Sequence, residues 1–154
     1  MYATDVMTTR FITLKPDNTI SEAVTRFQSA SLEQGKNVFG LMVTDDTDRL
    51  VGMLSMYDIL LFVQPRHANI WQELEDEEQA GAFRELLGRV KSIRVGDLMT
   101  TDVVTITPET PLLAIVDIMI KRHIRRLPVV RDQEVVGIVY ISDLVYYLLQ
   151  EYLG

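Results

Sequence analysis

A chain of 154 residues with 47% hydrophobic side chains can bury one core or two small ones, and it is too apolar to stay disordered. It has no cysteine, which excludes disulfides, thiolate metal sites and cysteine nucleophiles. A net charge of −7 excludes the broad basic face that phosphate-backbone binding needs, so no nucleic-acid partner is expected. The first residues do not form a basic stretch followed by an apolar one, and the longest apolar run, 59–63, is far too short for a bilayer. A soluble cytoplasmic protein without membrane contact is expected.

In chain order, Phe11-Ile12-Thr13-Leu14 is β-prone and is broken by Lys15-Pro16-Asp17-Asn18. Thr19 and Glu22 have the spacing of a capping box. Ile20, Ala23, Val24 and Phe27 then recur at helical spacing, so one face of this helix is apolar, and the helix ends in the polar loop 31–37 around Gly35. A strand pair follows at 39–44 and 51–55, parted by Asp45-Asp46-Thr47-Asp48, and a helix from about Asp58 is expected to stop before Pro65.

Residues 66–91 are of different character. Glu73, Glu75, Asp76, Glu77 and Glu78 form an acidic run, and Phe83, Leu86, Leu87 and Val90 form an apolar helical face. Two readings fit: a linker helix covering part of the core with a solvated acidic run, or a contact surface for a second chain that includes Trp71.

The same order of elements then returns. Met7 and Pro16 match Met99 and Pro108 at an offset of 92, and Gly52 and Asp58 match Gly137 and Asp143 at 85. The shorter offset reflects a longer helix-to-strand loop in the first copy, where length differences are tolerated. Thr110-Pro111 is expected to cap the next helix, with proline in the first helical position. Leu112, Ile115, Val116 and Met119 supply its buried stripe. Strands at 127–130 and 135–140 flank a polar turn, and Ser142 or Asp143 is expected to cap a last helix carrying Leu144, Val145, Leu148, Leu149 and Tyr152. Ahead of that strand pair, Lys121, Arg122, Arg125 and Arg126 put four fixed positive charges into six residues, either as a solvated helix end or as an anion site.

Several chemistries are missing. The aspartates at 45–48 lack the glycine and terminal glutamate of a calcium loop and read as a hairpin turn. His67 and His123 have no ligand spacing, and no metal site is expected. Neither a nucleophile elbow nor a phosphate loop occurs, the seven methionines read as core filler, and with no catalytic constellation the chain is not expected to be an enzyme.

Two copies of strand, helix, strand, strand, helix, each opening on a Met-Thr pair and closing on a glycine-containing strand and an aspartate, resemble cystathionine-β-synthase (CBS) domains. Such a tandem is called a Bateman module. The resemblance rests on Asp97-Leu98-Met99-Thr100, Arg126-Leu127-Pro128-Val129-Val130 and Gly137-Ile138-Val139 with Asp143. It implies an α/β fold of two β-α-β-β-α repeats, with small mixed sheets and flanking helices, related by a pseudo-twofold axis. Repeat 1 is then 1–65, a helical insertion or linker 66–91, and repeat 2 92–154.

The resemblance also implies two clefts that hold adenosine-containing ligands, with AMP, ADP or ATP the expected ligand, with or without Mg²⁺, and no required cofactor. Gly52-Met53-Leu54-Ser55-Met56-Tyr57-Asp58 satisfies the family's glycine, Ser/Thr and Asp pattern. Asp58 is thereby expected to accept from ribose hydroxyls, with Ser55 and Met53 beside it. Asp102 to Val104 would read the adenine edge, Ile124 would lie against the base, and Arg125 and Arg126 would face the phosphates, where guanidinium groups match phosphate oxygens. The second cleft would draw on Asp143, Ile138, Ile12, Val38 and Phe39, with Arg10 and Lys36 as its candidate phosphate ligands; Tyr140 stands there where the pattern wants Ser or Thr, so a weak or empty site is expected. Family modules commonly pair, so a homodimer that signals to an effector protein is expected. The alternatives are a ligand-free dimerisation or docking module and an S-adenosylmethionine sensor.

Overall fold

The computed structural model describes residues 1–64 and 73–154, so His67 and Trp71 lie outside the described residues. The elements in chain order are a 3-10 turn at Ala3–Asp5, α1 (Ile20–Gln34), β1 (Gly40–Thr44), β2 (Leu50–Ser55), α2 (Met56–Val63), α3 (Asp76–Val90), α4 (Val95–Leu98), α5 (Leu112–Arg122), β3 (Arg126–Arg131), β4 (Glu134–Tyr140) and α6 (Ile141–Leu153). The strands form two separate two-stranded sheets, β1-β2 and β3-β4.

The chain divides into two compact units that interleave the repeats. One comprises Met1–Phe11, Thr44–Val51 and Asp102–Gly154; the other comprises Ile12–Val43 and Gly52–Thr101. Each repeat's opening Met-Thr segment thus belongs to the unit that holds most of the other repeat.

In the unit built on repeat 1, the capping box forms as the spacing requires. Thr19 Oγ1 accepts the Glu22 amide at 3.1 Å, and Glu22 Oε1 accepts the Thr19 amide at 3.3 Å. Ile20, Ala23 and Phe27 are buried, whereas Val24, assigned to the same stripe, is 40% exposed because it lies at the stripe's edge. Gly35 ends α1 at φ 67°, a left-handed conformation that glycine adopts without Cβ strain. The β-prone run at 11–14 yields only one bridge, Leu14 parallel to Val43. Pro16 follows two residues later, and the strand cannot extend into it. Segment 91–96 lies along the start of α1, with the Ile20 amide donating to Ile93 O at 2.8 Å and the Val95 amide to Asn18 O at 2.7 Å. In α3, Val90 is buried but Phe83 and Leu87 are exposed, so only part of the expected apolar face is covered among the described residues.

In the unit built on repeat 2, Ala3, Ile106, Leu112, Ile115, Met119, Leu127, Val129, Val139 and Leu144 form one buried cluster. Burying a side chain such as Leu127 contributes about 1.5–3 kcal/mol relative to leaving it in water. Ala3 enters that core because its amide donates to Thr110 O at 2.9 Å while Tyr2 bridges Pro111. Pro111 proves to be the N-cap of α5 rather than its first helical residue, and Thr110 instead accepts the Thr107 amide, which closes the preceding turn. β3 and β4 pair antiparallel, from Arg126 opposite Tyr140 to Arg131 opposite Glu134. Their two-residue tip, Asp132 and Gln133, has φ of 51° and 71°, the signs of a turn whose twist matches the strands. Pro128 is tolerated in β3 because its partner across the hairpin, Ile138, commits its own amide and carbonyl to Thr8 and needs no amide from Pro128. The tip of the first hairpin is the expected Asx turn: Asp45 Oδ1 accepts the amides of Thr47 and Arg49.

One device occurs in both units. The Thr100 amide donates to Met53 O and the Met53 amide to Thr100 O, at 2.8 and 2.9 Å; Thr8 and Ile138 exchange the same two bonds at 2.8 and 3.0 Å. Each pairing lays a methionine sulfur on a glycine. A Cβ on Gly52 would stand 2.7 Å from Met99 Sδ, and one on Gly137 3.0 Å from Met7 Sδ. At Gly52 a Cβ would collide outright and at Gly137 it would be crowded, which explains why glycine, methionine and threonine recur together in the sequence.

Candidate functional site

The first aspartate is held by the helix it opens. Ser55, not Asp58, is the N-cap of α2, which starts at Met56, two residues before the expected position. The cap is reciprocal: Ser55 Oγ accepts the Asp58 amide at 3.1 Å and Asp58 Oδ2 accepts the Ser55 amide at 2.8 Å. One carboxylate oxygen is thereby committed, and the other, Oδ1, receives the Thr100 hydroxyl at 3.4 Å. Asp58 is half-buried and Thr100 exposed, so a fixed acceptor and a hydroxyl stand together at the surface. Met53, two residues before Ser55, is tied to Thr100 through the paired backbone bonds. Sequence reasoning assigned Met53, Ser55 and Asp58 to one place and missed Thr100. Its signal was the recurring Met-Thr pair, read as a repeat marker rather than as chemistry.

The equivalent position in repeat 2 is built differently. Tyr140, rather than Ser142 or Asp143, is the N-cap of α6, and its side chain makes no capping hydrogen bond. A phenol cannot turn back onto the first-turn amides as a serine hydroxyl does. Burial raises the Tyr140 hydroxyl above its ordinary pKa; the charge of Arg126 opposes the shift and that of Asp143 adds to it. Arg126 is also the cross-strand partner of Tyr140. An arginine assigned to the main cleft therefore stands beside a tyrosine assigned to the second.

Of the other assigned residues, Asp102, Val104, Ile124, Arg125, Arg126, Arg10, Ile138, Tyr140 and Asp143 belong to the unit built on repeat 2, and Ile12, Val38 and Phe39 to the other. Arg125 and Asp102 are exposed; Val104 and Ile124 are partly buried against the core of their unit. The Arg125 carbonyl accepts the Ile141 amide at 2.8 Å, which fixes its backbone at the start of α6 while its side chain faces solvent. Val38 and Ile138 are each 2% exposed, and both backbone polar groups of Ile138 are bonded to Thr8. Phe39 is 54% exposed. Lys121 pairs with Asp117 one turn away, so part of the basic cluster is neutralised on its own helix. Among the described residues, no group of three or more His, Asp or Glu side chains could hold a metal ion, and no helix is long and apolar enough to cross a membrane.

The recurrence of this arrangement is matched by comparison with known proteins. The CBS-domain family pattern fits residues 3–64 and 95–150. The chain belongs to the CBS-domain family. It is 31% identical over 140 residues to the CBS domain-containing protein YhcV of Bacillus subtilis, covering 91% of this chain and 80% of YhcV. The crystal structure of the CBS-pair protein CBSX2 of Arabidopsis thaliana superposes with a TM-score of 0.74 at 28% identity, over 99% of this chain and 97% of CBSX2. CBSX2 has also been solved in complex with AMP, with a TM-score of 0.71 at 28% identity over 98% of both chains. Against longer relatives the chain is a part: it spans 31% of mitochondrial CBSX3 of Arabidopsis thaliana and 22% of the inosine-5′-monophosphate dehydrogenase of Methanocaldococcus jannaschii. The chain is thus a tandem CBS pair with an α/β fold.

Proposed function

We propose that this CBS pair is a cytoplasmic sensor of an adenosine-containing nucleotide, AMP, ADP or ATP, whose bound state is passed to a partner protein. The observation that carries the reading is the reciprocal Ser55–Asp58 cap, which commits one carboxylate oxygen and leaves the other beside the Thr100 hydroxyl. A ribose diol needs such a fixed acceptor, and fixing it in advance lowers the ordering cost of binding. The AMP complex of CBSX2, at 28% identity, supports the ligand class. In this reading Asp58 accepts from the ribose, Ser55, Met53 and Thr100 line the sugar, Ile124 lies on the base, and the backbone of 102–104 reads the adenine edge. Arg125, exposed and anchored through its carbonyl, faces the phosphates with Arg126. The site with Asp143, Arg10, Ile12, Val38, Phe39 and Ile138 is weak or empty, because Tyr140 replaces the hydroxyl residue and Ile138 is enclosed.

The module self-associates through α6 in this proposal, where Val145, Tyr146, Leu149, Tyr152 and Leu153 are exposed on a helix without basic residues. Binding signals to the partner only if the ligand favours one arrangement of the repeats over another. A second reading, a docking module without ligand, draws on Phe83 and Leu87, which are 59% and 49% exposed on α3. A thermal-shift screen with AMP, ADP, ATP, each with and without Mg²⁺, and S-adenosylmethionine separates them. Stabilisation by an adenine nucleotide supports the sensor. A preference for S-adenosylmethionine would change the ligand, and silence towards all four would leave the docking module.

A further inference from the structure

The pairing that brings Thr100 to Asp58 is closed by a thioether. Met99 is partly exposed, and its sulfur occupies the space where any side chain at position 52 would begin. Directly behind it run the two backbone bonds between Met53 and Thr100, and Thr100 in turn reaches Asp58. We propose that Met99 is a site of reversible oxidation by peroxide, and that its sulfoxide opens the Met53–Thr100 pair and withdraws Thr100 from Asp58. In the step, a sulfur lone pair attacks one peroxide oxygen and the O–O bond breaks. The sulfur–oxygen bond forms, the departing oxygen leaves as water after taking the remaining proton, and the sulfur is oxidised by two electrons as the peroxide is reduced. The product is a polar, chiral group in place of an apolar, flexible one. A sulfur packed this tightly on Gly52 has no room for a new oxygen on that side, so the modified side chain cannot reseat. Met42 and Met119, 1% and 2% exposed, are shielded, whereas Met56, 37% exposed, and Met1, 48% exposed with its sulfur accepting the Tyr152 hydroxyl, calibrate the dose.

The consequence for ligand affinity rests on the nucleotide reading above; the opening of the clasp does not. The full chain is titrated with hydrogen peroxide without ligand, and each methionine peptide is followed by mass spectrometry together with amide hydrogen exchange. Uptake of one oxygen at Met99 is expected to speed exchange at the Met53 and Thr100 amides by about tenfold or more. Met99→Leu, close to volume-conserving, keeps both amides slow in peroxide, while Met7→Leu behaves as the wild type there. Methionine sulfoxide reductase with its reductant restores slow exchange. AMP affinity falls by about tenfold or more after oxidation of the wild type and not of Met99→Leu. Oxygen uptake at Met99 with unchanged exchange overturns the proposal, as does an unmodified Met99 once Met1 and Met56 are fully oxidised. Failure of AMP to bind the unoxidised chain contradicts the nucleotide reading alone, since the exchange data still decide the clasp.

Discussion

Residues 55 and 58 in one repeat and 140 and 143 in the other open corresponding helices, yet the two starts behave differently. At α2 a serine hydroxyl and a carboxylate satisfy each other's amides and the carboxylate keeps one oxygen for Thr100. At α6 a tyrosine stands at the N-cap position, its side chain makes no capping hydrogen bond, and the ring lies half-buried opposite Arg126. One substitution thus separates a serine-capped helix start from one whose N-cap residue is a tyrosine. The two repeats share the methionine–glycine contact and differ in the residues at their helix starts.

The comparison is broken most forcefully at the glycines. Gly52→Ala would bring a Cβ 2.7 Å from Met99 Sδ and 2.9 Å from the Thr100 carbonyl oxygen. A loss of about 2–3 kcal/mol in urea unfolding is expected, since a backbone oxygen cannot rotate away. At Gly137 the corresponding distances, to Met7 Sδ and Thr8 O, are 3.0 and 3.1 Å, so Gly137→Ala should cost less, about 1–2 kcal/mol. Equal losses would show that the two contacts are not graded as the distances suggest.

Ligand effects come next. Arg125→Ala should weaken AMP binding about tenfold while leaving adenosine binding and unfolding nearly unchanged, because an exposed guanidinium contributes to phosphate contact and little to the fold. Tyr140→Ser should raise the AMP stoichiometry by supplying the missing hydroxyl at the second site; an unchanged stoichiometry would place the defect elsewhere. Ser55→Ala removes half of the reciprocal cap and should cost about 1 kcal/mol in unfolding.

The smallest effect concerns pH. The Thr19 amide, and then the Thr19 hydroxyl and Asn18, hold Glu22 below its ordinary carboxylate pKa. A depressed folded-state pKa contributes stability that is present above the unfolded value and lost as pH falls through the folded one. Glu22→Gln should therefore flatten the acid limb of the stability curve slightly and leave neutral pH almost untouched.

Local patterns made much of the fold legible. The Thr19–Glu22 box, the Gly35 stop, the Asp45 turn and both hairpins follow from side chains within a few residues of one another. The exchange of opening segments was not legible, because nothing local tells Met1 to Phe11 that Ile138 and Thr110 will pair with it. Helix starts were misplaced by two or three residues for a related reason: Asp58 and Asp143 are good cap residues, but the strand ahead of each delivers residues 55 and 140 to the cap position. At the candidate site, Asp58 and Ser55 were readable from their spacing, whereas Thr100 becomes their neighbour only through tertiary pairing with Met53.

The central claim is that Asp58 anchors a nucleotide and its counterpart Asp143 does not. Titration calorimetry with AMP on the wild type, Asp58→Ala and Asp143→Ala tests it directly. One AMP per chain is predicted, with affinity lowered by about tenfold or more in Asp58→Ala and by less than about threefold in Asp143→Ala. Absence of heat in the wild type, or AMP binding indifferent to Asp58→Ala, would contradict the account.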